Sequence, residues 1–180
     1  MLKQVQHDDL RGWIGTALRA FAPLALMLVS GCALQPLYAG GSSGLVAQGL
    51  AAVDVPPIEG RAGWLMRNAL SDRLHAAGQA APRYRLDVRL DDKLEGLGLL
   101  ANDTVGRERR TLRARYQLVD LASGQIVLDA SAGLDAGIDV ASSEYATVAA
   151  EQTALENLAR MVADRIVTRI ALHLRAGAEK

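Results

Sequence analysis

Residues 83–91, RYRLDVRLD, and residues 111–119, TLRARYQLV, decide the fold. In the first stretch Tyr84, Leu86, Val88 and Leu90 alternate with Arg83, Arg85, Asp87, Arg89 and Asp91. In the second, Leu112, Ala114, Tyr116 and Leu118 alternate with Arg113, Arg115 and Gln117. A period of two sends successive side chains to opposite faces, so each stretch predicts a strand with one buried and one charged face. The two read as an antiparallel pair around a loop of about ten residues, 96–105. Residues 94–100, LEGLGLL, are more apolar than a solvated turn. Either they form an apolar tip that meets a partner, or they extend the strand and fold back onto the helices. A third strand is expected over 125–138, after the Ala122-Ser123-Gly124 turn, with Ile126, Leu128 and Ala130 inward.

Working outward, the period changes. Gly63, Met66, Leu70, Leu74 and Ala77 recur at helical spacing, with Arg67, Asp72 and Arg73 between them and Gly78 as the stop. Ser142 or Ser143 is expected to cap a long final helix through about residue 174, with Leu155, Leu158, Val162, Ile166, Ile170 and Leu174 as its apolar stripe. Residues 49–55, stopped by Pro56-Pro57, read most simply as a first strand. The order strand, helix, three strands, helix, with one sheet face charged, predicts an α+β two-layer sandwich: about four strands with two helices packed on one face.

The chain ahead of this domain reads as an address. Lys3, Arg11 and Arg19 precede an apolar run from Ala20 to Val29 that meets Ser30-Gly31. That run has about ten residues where a spanning helix needs roughly 20. Val29-Ser30-Gly31-Cys32 resembles a lipobox, with two small residues for cleavage between Gly31 and Cys32 and a thiol that accepts diacylglycerol; Cys32 is the only cysteine. Ala33 follows, where similarity to enterobacterial lipoproteins would put aspartate for inner-membrane retention, so the outer membrane is expected. The predicted organisation is a signal peptide over 1–31, a lipidated flexible tether over 32–47, rich in Gly and Ser, and a single periplasmic α+β domain over 48–176.

Composition narrows the function. Residues 1–31 hold three of the 20 basic and two of the 20 acidic residues, leaving the remainder near neutral, which argues against a nucleic-acid partner. With Cys32 acylated no disulfide forms, so packing alone must stabilise the fold. His75 and His173 are about 100 residues apart and lack metal-ligand spacing. There is no phosphate loop and no nucleophile motif, and Gly96-x-Gly98 reads as a turn. No cofactor, metal or catalytic activity is expected.

Three motifs then carry a resemblance. Cys32-Ala33-Leu34-Gln35-Pro36-Leu37-Tyr38, the stretch Tyr116-Gln117-Leu118-Val119-Asp120 with its Ser123-Gly124 turn, and Ser143-Glu144-Tyr145-Ala146-Thr147 are similar, in this order, to motifs of the LPS-assembly lipoprotein family. The resemblance implies an outer-membrane lipoprotein on the periplasmic side that plugs the lumen of the lipopolysaccharide-transport β-barrel, aiding its assembly and the delivery of lipopolysaccharide. A periplasmic lipoprotein that regulates a cell-wall synthase, or serves a lipid ABC transporter as auxiliary subunit, would share the same tethered domain.

Arg83, Arg85, Arg89 and Lys93 share parity on one strand, and Arg107, Arg109, Arg113 and Arg115 on the next, so all eight project from one side. The phosphates and carboxylates of lipopolysaccharide suit guanidinium groups. Lys93, Arg107 and Arg109 near the loop, with Arg113 and Arg89, are therefore the candidate contacts for lipopolysaccharide or the barrel. The plainer reading is a solvated ladder: if paired residue numbers sum to about 200, Asp87 faces Arg113 and Asp91 faces Arg109, in ion pairs worth about 0.2–1 kcal/mol each. Arg160, Arg165, Arg169 and Arg175, with Glu151, Glu156 and Asp164, read as a solvated face of the final helix.

Overall fold

A computed structural model of the chain describes residues 44–99 and 105–178. The signal segment, the Gly31–Cys32 cleavage site, most of the tether and residues 100–104 lie outside the described residues. Within them the chain forms α1 (Leu45–Ala51), β1 (Val53–Asp54), α2 (Gly60–Leu74), β2 (Tyr84–Leu99), β3 (Val105–Asp120), β4 (Ile126–Asp139) and α3 (Glu144–Ala178). The strands make one mixed sheet in the order β1-β2-β3-β4, with β1 parallel to β2 and the other pairs antiparallel. An α+β sandwich is what the alternation and the two helical stripes predict.

The β2–β3 pair is longer and differently registered than expected. Tyr84 faces Asp120 and Asp91 faces Arg113, a shift of four residues from the anticipated pairing. An even shift leaves every side chain on its face and changes only its partner. Pairing continues to Leu99↔Val105, so strand replaces residues 96–99 and 105 of the expected ten-residue loop. Leu94 is on a strand and 42% exposed, so it extends β2 without folding back under the helices.

Residues 49–55 are the main correction. Only Val53 and Asp54 form a strand, while residues 45–51, LVAQGLA, are helical. Ala47, Leu50 and Ala51 are buried, and α1 packs against α2 and α3. Gly49 permits this approach: a Cβ there would stand 3.0 Å from the Leu174 side chain. A seven-residue apolar run carries no period that separates helix from strand, so the packing partner decides. Residues 45–47, expected to be tether, thus belong to α1, and the described part of the fold has three helices where two were expected.

The core lies between the sheet and the helical layer. Leu86, Leu112, Tyr116 and Leu118 meet Met66, Leu70 and Leu74 of α2 and Leu155, Leu158, Val162, Ile166 and Ile170 of α3, all essentially buried. Ile126, expected inward, is 54% exposed, because a bulge at Leu118/Val119 shifts the β4 register beside it. No serine hydroxyl caps α3. The Ser143 carbonyl accepts the first helical bond, from Thr147 N–H at 3.1 Å, and the Thr147 hydroxyl accepts from Ala141 N–H at 3.1 Å. Among the described residues no helix is long and apolar enough to cross a membrane.

Candidate functional site

The helices cover one face of the sheet. On the open face stand the odd-numbered residues of β2, β3 and β4 over most of their length, including seven of the eight basic residues singled out by parity; the eighth, Arg83, immediately precedes β2. β4 adds Asp129, Ser131, Gly133, Asp135, Gly137 and Asp139, alternating with Leu128, Ala130, Ala132, Leu134, Ala136 and Ile138 on the helix side. That strict period of two is in the sequence. It was missed as a feature of the charged face because the strand holds few bulky residues.

The small residues of β4 make room for the arginines of β3. A Cβ on Gly133 would stand 2.4 Å from Cδ of Arg113, so the Arg113 chain lies across Gly133 to reach Asp135 at 3.2 Å. Arg115 reaches Asp129 at 3.1 Å, which also accepts from Gln117 at 2.9 Å, and Arg107 meets Asp139 at 3.0 Å. On β2, Arg85 holds Asp87 at 2.8 Å and Lys93 holds Asp91 at 3.3 Å. Arg83 lies over the Tyr84 ring, 5.1 Å from its centroid, and 3.9 Å from Asp120. The hydrogen bond from Arg115, then that from Gln117, holds the Asp129 carboxyl below its ordinary range. Backbone N–H groups of Ser123 and Ala122 lower Asp120 likewise.

Of the five candidate contacts, Lys93, Arg107 and Arg113 are thus in ion pairs, and Arg113 is held by Asp135 instead of Asp87, the partner expected from the sequence. Asp87 and Asp91 hold Arg85 and Lys93 on their own strand. Arg89 and Arg109 have no ion-pair partner among the described residues. Arg89 stands opposite Arg115 and Arg109 opposite Glu95. The structure therefore brings all five onto one face and leaves two guanidinium groups free.

A second charged cluster lies on the helix side, beyond the apolar stretch. Arg110 binds Asp92 at 2.7 Å and the Glu151 carbonyl at 3.1 Å, both side chains largely covered. Nearby on the same face of β3, one Glu108 oxygen, Oε2, is buried without a partner among the described residues. Sequence reading passed over Arg110 and Asp92 because their even numbers place charge where the alternation predicts apolar residues. The charges of α3 are also not merely solvated: Asp164 pairs with Arg73 of α2, and Arg165 donates to the Gly133 carbonyl at 2.9 Å. His75 Nε2 lies 3.1 Å from the Val53 carbonyl, and His173 lines a groove between α1 and the end of α3.

An open polar sheet backed by helices is an architecture that a binding protein and a scaffold share, so likeness to known proteins decides between them. The model of the LptE family, described as lipopolysaccharide-assembly, matches residues 50–170. The chain belongs to the LptE lipopolysaccharide-assembly family. Its role in lipopolysaccharide assembly follows from that membership, and the family is one of assembly factors, not of enzymes. Among solved structures, the LptE-family domain is similar to a protein of Caulobacter crescentus CB15 classed as a lipoprotein, with 26% identity, a TM-score of 0.62 and coverage of 73% of this chain and 96% of that one. Rare lipoprotein B of Shewanella oneidensis shares the fold at 12% identity and a TM-score of 0.56, covering 72% and 98% of the two chains. Uncharacterized lipoprotein B of Nitrosomonas europaea does so at 14% and 0.52, covering 71% and 84%. No curated protein matches the sequence.

Proposed function

We propose that this LptE-family chain is a lipoprotein of the outer membrane, anchored by lipid on Cys32 with its domain on the periplasmic side, and that it plugs the lumen of the lipopolysaccharide-transport β-barrel. The observation that carries the reading is the open face. Three long strands present a charged surface uncovered by any element of the described chain, and most of its charges are already matched within the sheet. A surface of that kind suits the polar interior of a large barrel, which offers hydrogen-bonding side chains and water rather than an apolar groove. The two unpaired guanidinium groups, Arg89 and Arg109, would meet carboxylates of the barrel wall or phosphates of passing lipopolysaccharide, with Lys93, Arg107 and Arg113 beside them.

The chemistry asked of the chain is positional. A plug supplies a rigid surface, and several acyl chains at about 0.8 kcal/mol per buried methylene hold it at the membrane. Affinity purification of a tagged copy from detergent-solubilised outer membranes tests this. A large β-barrel recovered in equal amount supports the reading. Recovery with a cell-wall synthase or an inner-membrane transporter instead would replace it with the regulatory alternative.

A further inference from the structure

The two edges of the sheet are finished differently. At β4 the outward carbonyl of Gly133 is taken by Arg165, and α3 packs along the strand. On the outer side of β2 the one strand neighbour among the described residues is β1, which ends at Asp54 before Pro56-Pro57. The Tyr84 N–H points to that side, donating to the Ala52 carbonyl at 3.0 Å. In an antiparallel ladder both backbone polar groups of alternate residues point the same way, so those of Val88, Leu90, Asp92 and Leu94 point away from β3 as well. Among the described residues no strand pairs with them. A row of free donors and acceptors of this kind is a template for another strand, and proteins commonly blunt it with proline, lysine, a bulge or a short edge. Lys93 and the inward-pointing Asp92 blunt only the distal part; the stretch Val88–Leu90, just past the end of β1, has none of these devices.

Beside that stretch lies a groove of about 520 Å³, with Pro56, Pro57 and Ile58 on one side and Leu86, Asp87, Val88 and Arg89 on the other. Two more guanidinium and carboxylate groups near it are engaged: Arg115 with Asp129, and Asp87 with Arg85. Arg89 is the groove's unpaired charge. We infer that the outer edge of β2 at Val88 and Leu90 accepts an extended segment of the barrel partner as an added strand, with an acidic side chain of that segment over Arg89. The inference rests on the barrel reading above and goes further, naming the edge and the chemistry of the segment. The tether of this chain does not meet the charge requirement, because residues 32–43, CALQPLYAGGSS, contain no carboxylate side chain. Main-chain hydrogen bonds would supply affinity, and the Arg89 pair would set register.

Residue-level hydrogen exchange of the wild-type lipoprotein, alone and in the purified barrel complex, tests the inference together with two variants. Val88→Pro removes one outward N–H while keeping every bond to β3. Arg89→Glu reverses the charge on an exposed side chain and leaves the core untouched. The expected result is that Val88 and Leu90 amides exchange at least about tenfold more slowly in the complex, that Val88→Pro loses most of the barrel, and that Arg89→Glu recovers several-fold less of it. If the wild type brings down the barrel but these amides exchange as in the free protein, the added strand is overturned and the plug reading stands. Protected amides with undiminished recovery by Arg89→Glu would overturn the acidic partner. Failure of the wild type to bring down any barrel overturns both readings.

Discussion

On the helix side of β3, Leu112, Ala114, Tyr116 and Leu118 are buried within a continuous core; on the other side of the same strand Arg107, Arg109, Arg113 and Arg115 stand in solvent above β4. The strand therefore separates two tasks by parity. The buried residues remove apolar surface from water and account for most of the stability. Three of the four exposed arginines, Arg107, Arg113 and Arg115, are matched to carboxylates in high dielectric, where a pair adds little stability but fixes where each charge sits. A surface can then be rewritten for a partner without endangering the fold.

The comparison is easiest to break on the buried face. Ile166→Ala, deep in the core under the sheet, is expected to cost about 3–4 kcal/mol, because the cavity adds to the lost transfer free energy. A urea titration that found less than half of this would show a core able to collapse around the gap. The next largest effect is expected where charge is carried onto the helix side. Arg110→Ala leaves Asp92 and the Glu151 carbonyl partly covered and without their donor, at about 2 kcal/mol. The double variant with Asp92→Ala should recover part of that loss, and strict additivity in the cycle would remove the pair from the account.

Smaller effects are expected on the open face. Gly133→Val places a side chain where Arg113 rests and should cost about 1 kcal/mol through strain and the displaced ion pair. In an Arg113→Ala background the same substitution should cost measurably less. Asp129→Asn should change the melting temperature least of the four. Its sign with pH is defined: the folded-state pKa is depressed, chiefly by Arg115, so the contribution is present above the ordinary carboxylate value of about 3.9 and is lost as pH falls below it. Wild type and variant should therefore differ at neutral pH and converge in acid. A difference that grew on acidification would contradict the Arg115–Asp129 pairing.

Much of the fold was legible because two periods are hard to counterfeit. The alternation at 83–91 and 111–119 and the helical stripes recur in the structure as the faces they predicted, except that Ala77 lies past the end of α2 and is exposed and Leu174 is only partly buried. What was not legible shares one property, a dependence on something distant in the chain. Residues 45–51 are helical because α3 offers Leu174 at Gly49, and Arg113 rests over β4 because a glycine twenty residues away leaves space. The candidate residues share the face that parity predicts, while the pairings expected for Arg113 and Arg109 do not form, since an ion pair depends on register and parity does not.

By itself the sequence determined to which family the chain belongs and, apart from Ile126, Asp92 and Arg110, which strand residues face the core and which face outward, because side-chain periodicity and motif order are local properties that survive any rigid shift of one element past another. The tertiary structure alone decided the four-residue change of register, the identity of each ion pair, the conversion of an expected strand into α1, and the contrast between a covered β4 edge and an open β2 edge. Each of these depends on which distant surface is available to bury a group or satisfy a backbone bond, and a strand sliding by two or four residues keeps the same pattern while exchanging every neighbour.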